Sequence, residues 1–257
     1  MKILILIPYG IDSHLSWARG LKAHSLHDIT LLSLSGSHWK WRMHGGAVSL
    51  ADAFMKLEEK PDLIVGTDML DLASFLTFTR KKGAGIPSLL YFHDNQLTYP
   101  RSKGDADVSK GRDRHYAWIN FSSALAADAI CFNSHFHRNE FLNALPAFLK
   151  AFPDHQPTHH IETLKEKSSV LPLGLDFDAL QIHQPSFVSN NKVPLILWNH
   201  RWEYDKNPES FFQALISLSN QHVDFELAVL GKEFTHSPKI FKQAKSSLEK
   251  LIVHRGF

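Results

Sequence analysis

Val193-Pro194-Leu195-Ile196-Leu197-Trp198-Asn199-His200-Arg201-Trp202-Glu203-Tyr204-Asp205-Lys206-Asn207-Pro208-Glu209-Ser210-Phe211-Phe212 is the stretch that decides the fold. An apolar run of strand length stops at Trp198. A helix-start signal follows, with Asn207 as N-cap, Pro208 at the first helical position and Glu209 in the first turn. Arg201 and Lys206 lie between strand and helix. Two cations beside the free backbone N–H groups of a helix N-terminus make a receptor for a phosphate or diphosphate. A solvated basic loop uses the same residue types. Placement at the C-terminal end of a strand, where open α/β sheets bind ligands, favours the receptor.

The alternation runs outward in both directions. Ile3–Pro8 reads as a strand and Ser13–Ala23 as a helix with Leu15, Ala18 and Leu21 on one face. Ile29–Leu34, Asp62–Val65, Ser88–Phe92, Ala129–Phe132 and Ser169–Leu173 read as further strands. Helices are expected over Ala47–Leu57, Leu70–Arg80, Tyr116–Ala126 and His135–Leu149. Near-continuous apolar strands between amphipathic helices imply a parallel sheet covered on both faces. Arg101–Arg114, polar and glycine-containing, and Phe152–Lys167, rich in Pro and His, read as loops. Residues 176–192 carry Pro185 and Ser189-Asn190-Asn191 and read as a linker. A second unit then follows, with strands 193–198, 224–230 and 251–255 and helices 208–219 and 238–249. The fold class is therefore α/β, with a Rossmann-like domain over 1–175, a linker over 176–192 and a partial Rossmann-like domain over 193–257. Three strands and two helices make a small core for a ligand-binding domain, so the second domain is expected to be incomplete at its C-terminal end.

Composition narrows the setting. The 257 residues are 44% hydrophobic, ample for buried cores. A formal net charge of +2 permits an anionic partner without pointing to one. Cys131 is the single cysteine, which excludes an intrachain disulfide and a cysteine-based zinc cluster and fits a reducing, cytoplasmic setting. The apolar run after Met1 is too short for a signal peptide or a membrane span. The 17 histidines are scattered. His135-Phe136-His137 and His159-His160 lack a carboxylate or third histidine at ligand spacing, so no metal site is expected.

Chemistry concentrates in loops after strands. Tyr9-Gly10-Ile11-Asp12-Ser13-His14 leads into a helix, with Gly10 for a tight turn and Ser13 as a natural N-cap. His93-Asp94-Asn95-Gln96 puts four polar groups directly after a buried strand, where hiding them is costly. Ser37–Gly46 interleaves Trp39 and Trp41 with Lys40 and Arg42, a pattern able to stack on a base or sugar and hold phosphate. Packing against a helix is the alternative use of those tryptophans. Asn133-Ser134 reads as a helix cap and a ligand contact.

Pro8-Tyr9, Ser13-His14, Trp39–Arg42, Asp68–Leu72, Tyr91–Pro100, Phe132–Ser134 and His200–Phe212 occur in this order, and together they resemble the tRNA-queuosine mannosyltransferase family, also called glycosyltransferase-like domain-containing proteins. That group is similar to the family 4 retaining glycosyltransferases. The resemblance implies two Rossmann-like domains of GT-B type facing a crevice. It implies transfer of mannose from the nucleotide sugar GDP-mannose to the cyclopentene-diol of queuosine in a tRNA anticodon, with retention and no cofactor. Arg201 and Lys206 would hold the donor diphosphate, with Ser13, Asn133 and Ser134 also on the donor. His93 would contact the donor sugar and His14 would lie near the reacting groups. Trp39, Trp41, Arg42, Asp94, Asn95 and Gln96 would form the acceptor side, helped by Lys40 and the basic run Arg80-Lys81-Lys82. Ile11-Asp12 stand where family members carry Gly-Gly, making that loop stiffer and more acidic. The superfamily's glutamate-bearing donor loop lies beyond the strand near Leu251–His254. The chain is accordingly expected to be a piece of a longer protein and a poor catalyst by itself. No membrane contact is expected and no protein partner is indicated. A same-fold enzyme acting on a glycan or lipid, or a non-catalytic nucleotide- or RNA-binding remnant, would share most of these features.

Overall fold

The computed structural model describes residues 1–101, 107, 114–177, 193–233 and 237–256, the side chains of 254–256 excepted. The first compact unit runs β1 (Lys2–Gly10), α1 (Asp12–His24), β2 (Asp28–Ser35), α2 (Trp39–Met55), β3 (Leu63–Thr67), α3 (Leu72–Gly83) and β4 (Ser88–Phe92). It continues with α4 (Arg114–Ala126), β5 (Ala129–Phe132), α5 (His135–Lys150), α6 (His160–Glu166) and β6 (Ser168–Val170). Its strands form one parallel sheet in the order β2-β1-β3-β4-β5-β6. The order reverses direction between β1 and β3, the kind of switch point beside which such sheets bind ligands.

β1 shows why its sequence is apolar without alternation. Leu4 and Leu6 enter one core, with Phe54, Phe75, Leu90 and Phe132. Ile3, Ile5 and Ile7 enter the core on the opposite face, with Ala18, Tyr91 and Cys131. Both faces are covered, so every position must be apolar. Phe92 and Phe132 lie side by side on neighbouring strands, their rings stacked at 4.8 Å, and Phe141 from α5 packs on both.

The second unit, described over 193–233 and 237–256, runs β7 (Leu195–Asn199), a 3-10 turn (Tyr204–Lys206), α7 (Pro208–Asn220), β8 (Glu226–Leu230), α8 (Ile240–Ser247), a second 3-10 turn (Glu249–Leu251) and β9 (Ile252–Gly256). Its three strands are parallel in the order β7-β8-β9. An aromatic cluster makes the core. Trp202 and Phe241 stack at 4.5 Å, and Trp198 packs on Phe211, Phe212 and Phe241.

Several local expectations are corrected. The helix expected from Ala47 starts at Trp39, so the Trp39–Arg42 segment is its first turn rather than a loop. His38 enters that helix in the left-handed region, φ 55°. Residues 160–166 form a helix inside the stretch expected to be a loop, because Ile161 and Leu164 reach the core and packing overrides a polar composition. Ser13 is not an N-cap; extended Ile11 occupies that place, and Ser13 is exposed one residue into α1. Gly10 answers a close approach rather than a turn, since a Cβ there would lie 2.6 Å from the Leu34 carbonyl oxygen. The last strand of the first unit shortens to Ser168–Val170. Of the expected linker 176–192, only 176 and 177 fall within the described residues, and of the loop 101–114 only Arg101, Asp107 and Arg114.

Phe132→Ala removes a fully buried ring that joins β4, β5 and α5. Its denaturant midpoint should fall by the equivalent of about 3–5 kcal/mol. Amide exchange in β4 and β5 should accelerate, and unchanged protection of those strands would show that this core is not cooperative.

Candidate active site

Four adjacent strands of the first sheet, β1, β3, β4 and β5, end in polar residues that meet above the sheet. The β1 turn delivers His14, and β3 ends at Asp68. β4 ends at His93, while β5 ends at Asn133, with His137 one turn into α5. The His14 and His93 rings stack at 4.5 Å and 15°. Trp17 and Tyr91 pack edgewise on His93 at 4.6 and 4.9 Å. The His93 backbone is held from two sides, its N–H donating to Asp68 Oδ1 at 3.0 Å and its carbonyl accepting from Asn133 Nδ2 at 2.8 Å. Asn120 of α4 completes the frame, donating to the Asp68 carbonyl at 2.7 Å and accepting the Gln96 N–H at 2.6 Å.

Burial sets the charges. Desolvation, and then the neighbouring His14 and His137, lower the His93 imidazole to about 3. Desolvation lowers His14 and His137 as well, against the raising field of Asp94. The Asp68 carboxyl, 1% exposed, is pushed well above the usual carboxylate range by desolvation and then by Asp94. All three imidazoles are therefore neutral at pH 7. Two tautomers follow from the partners. His14 Nδ1 faces the Tyr9 carbonyl at 3.2 Å, which only accepts, so Nδ1 carries the proton. His137 Nδ1 faces Asn133 Oδ1 at 3.0 Å, with the amide orientation set by the bond from Nδ2 to His93, so it too carries the proton. The Nε2 atom of His14 is consequently a bare acceptor, while Nε2 of His137 is buried and without a partner.

In the second unit the loop after β7 is tied to the end of β8. The Trp202 N–H donates to the Lys232 carbonyl at 3.0 Å and its indole N–H to the Leu230 carbonyl at 3.2 Å. Gly231, at φ 105°, lets the two backbones meet, since a Cβ there would lie 2.0 Å from the His200 carbonyl oxygen. Arg201 and Lys206 are not bare cations. Arg201 Nη1 lies 2.9 Å from Glu203 Oε2, and Lys206 Nζ lies 2.8 Å from Asp205 Oδ2. Asn207 precedes α7 as expected, but in the left-handed region (φ 52°) and with no side-chain cap, because it also closes the 3-10 turn through its N–H to Tyr204.

Residues 2–175 match the family described as tRNA-queuosine alpha-mannosyltransferase N-terminal. The tRNA-queuosine alpha-mannosyltransferase of Drosophila melanogaster is 30% identical over 261 residues, covering 99% of this chain and 67% of that protein. The chain belongs to the tRNA-queuosine alpha-mannosyltransferase family. It is thus a glycosyltransferase by kinship. The trehalose-6-phosphate structure from E. coli bound with UDP-2-fluoro glucose shares its fold at 12% identity and a TM-score of 0.60, covering 100% of this chain and 74% of that one. The lipopolysaccharide outer core galactosyltransferase WaaB, apo form, does so at 12% identity and 0.52, over 100% and 68%. Both point to the GT-B type of α/β fold.

Within this family member, the residues singled out from sequence separate into three kinds. His14, His93 and Asn133 converge at the strand ends, with Asp94 exposed beside them. Ser134 accepts the His137 N–H at 3.1 Å, the cap it was expected to be. Asn95 is corrected from an acceptor contact to a buried turn residue, its Oδ1 accepting the N–H groups of Leu97 and Thr98. Gln96 is half-buried, with its N–H held by Asn120. On the expected RNA footprint, Arg42 is bound to Ser35, Lys40 to Asp107 at 2.5 Å, and Lys82 to the carbonyls of Phe54, Met55 and Leu57 at the end of α2. Trp39 is half-buried against Tyr116, whereas Trp41 is 63% exposed. Asp68, Asn120 and His137 were missed. Asp68 directly follows a strand, which was a usable signal, but His137 was indistinguishable from the other scattered histidines. Among the described residues no group of three His, Cys, Asp or Glu has metal-site geometry, and no helix is long and apolar enough to cross a membrane.

The histidines imply a sign for acid sensitivity. A depressed native pKa means that the unfolded chain binds more protons, so stability is full above about 6.5 and is lost as pH falls toward the folded value. His93 acts over the window from its ordinary value of 6.5 down to about 3, with a limiting slope of ~1.4 kcal/mol per pH unit for one group. His93→Gln should make urea stability measurably less dependent on pH between 6.5 and 4; parallel pH profiles for variant and wild type would contradict the buried neutral imidazole.

Proposed function

We propose that this protein moves mannose from GDP-mannose to the cyclopentene-diol of queuosine in a tRNA anticodon, with retention at the anomeric carbon. The observation that carries this reading is the family match over 2–175, the part of the chain that holds the strand-end cluster. The cluster's chemistry suits it. A neutral imidazole with a bare Nε2 accepts a hydrogen bond from a hydroxyl group, and we assign His14 as the one that receives the acceptor hydroxyl. His93 serves the transferred sugar, and Ser13, Asn133 and Ser134 are assigned to the donor side. RNA would meet the exposed ring of Trp41 and the exposed cations Arg80 and Lys81.

Arg201 and Lys206 are assigned to the donor diphosphate. Arg201 must exchange a carboxylate for a phosphate oxygen. A half-exposed ion pair such as Arg201–Glu203 is worth about 0–1 kcal/mol, whereas a charge-assisted bond to diphosphate is worth about 1.5–3 kcal/mol. Exchange is therefore favourable at Arg201, whereas the Asp205 side chain is only 5% exposed and costly to abandon, so Lys206 would meet the diphosphate with Asp205 still bound. The leaving diphosphate carries its charge onto these two side chains during transfer.

Deletion of the gene should leave tRNA with queuosine in place of its mannosylated form, read by mass spectrometry of nucleosides. Persistence of mannosyl-queuosine would sink the proposal. For the donor loop, Arg201→Ala and Lys206→Ala should each weaken GDP binding about tenfold by calorimetry. Glu203→Gln should tighten it by a few-fold, roughly the value of a surface pair. Unchanged affinity in both alanine variants would remove the diphosphate assignment.

A further inference from the structure

The strand-end cluster of the first unit is rich in hydrogen-bond acceptors and short of donors. Nε2 of His14 is a bare acceptor by the tautomer its partner imposes, whereas Nε2 of His137 is buried and without a partner. The Asp94 carboxylate stands exposed beside them, close enough for its field to act on His14, His137 and Asp68 together. Among the described residues no lysine or arginine forms an ion pair with Asp94. His93, 9% exposed, keeps Nε2 buried and without a partner, and Asp68 does the same with Oδ2. Burial lowers the imidazoles and raises the Asp68 carboxyl, so Asp94 is the one exposed acid of the cluster.

An acceptor-rich, singly negative site is the wrong receptor for phosphate and the right one for hydroxyl groups and an ammonium. A lone carboxylate on a surface that receives a polyanion costs affinity unless it meets a cation on the ligand. We propose that Asp94 receives a protonated amine of the acceptor while Nε2 of His14 receives a hydroxyl, so that the site selects an amine-bearing diol. The identity of that acceptor rests on the function proposed above. In queuosine the cyclopentene-diol is joined to the base through a secondary amine, which is protonated at neutral pH and lies a few bonds from both hydroxyls. Asp94 is then a specificity residue, reading the charge that distinguishes this nucleoside from the unmodified guanosine of the same anticodon position.

The test is calorimetric binding of queuosine nucleoside and of its neutral N-acetyl derivative to wild-type protein and to Asp94→Asn. Wild type should prefer the amine by about tenfold, the usual scale of one charge-assisted contact. In Asp94→Asn that preference should vanish, with GDP affinity and thermal midpoint unchanged as controls on folding. If the preference persists in Asp94→Asn, acetylation acts by bulk and the inference is overturned. Equal binding of both forms to wild type, or binding of neither, overturns it as well. Mannosyl transfer to queuosine tRNA without amine preference would sink this inference alone. Amine preference without mannosyl transfer would sink the proposed activity alone.

Discussion

A parallel sheet covered on both faces leaves only the ends of its strands for polar side chains. That constraint organises the first unit. β1 sends Leu4 and Leu6 to one core and Ile5 and Ile7 to the other, and the other central strands are similarly enclosed. Polar groups therefore gather where the strands stop, and β1, β3, β4 and β5 stop side by side. The cluster is packed as well as gathered. Asp68 and Asn133 fasten the His93 backbone from opposite sides, and Asn120 fastens Asp68. Aromatic rings seal its underside and desolvate the imidazoles. Burial beneath the strand ends thus sets the protonation, and the hydrogen-bond partners fixed there set the position and the tautomers.

The donor loop of the second unit illustrates a different economy. Its cations carry their own counter-ions, Glu203 and Asp205, within the same loop. Two unpaired cations on one short loop would repel each other and attract anions without discrimination. Internal pairing keeps the loop in one shape through the 3-10 turn and Trp202, and a ligand must offer more than a carboxylate does to displace it. The anchor on β8 through Gly231 makes the loop an extension of the sheet rather than a free segment.

Much of the fold was legible because strand length and helix periodicity are local properties. β1, β4, β5, α5 and α7 begin and end within a residue or two of where their apolar runs and caps place them. The misreadings share a physical origin. Trp39 and Trp41 have the composition of a binding loop, but Trp39 finds a place against Tyr116, and a helix start then costs nothing further. Residues 160–166 are polar, yet two apolar side chains that reach the core suffice to fold them. In the site, His93, His14 and Asn133 were legible as polar residues at strand ends. Asp68 carried the same strand-end signal and was passed over, whereas His137 was not legible, because its role comes from what surrounds it and not from what it is.

Strand, loop and helix spacing, the single cysteine and the ordered motifs from Pro8-Tyr9 to His200–Phe212 were determined by sequence alone, and they suffice for the α/β class and the family. Only the tertiary structure decided which polar residues are charged and which are free to act. Asn95 and Lys82 have the right chemistry for a ligand and spend it on their own backbone. Burial holds the Asp68 carboxyl well above the usual carboxylate range, and its Oδ1 is spent on the His93 backbone. Sequence counts donors, acceptors and charges. Burial and pairing, which depend on residues distant in the chain, decide how many remain for chemistry.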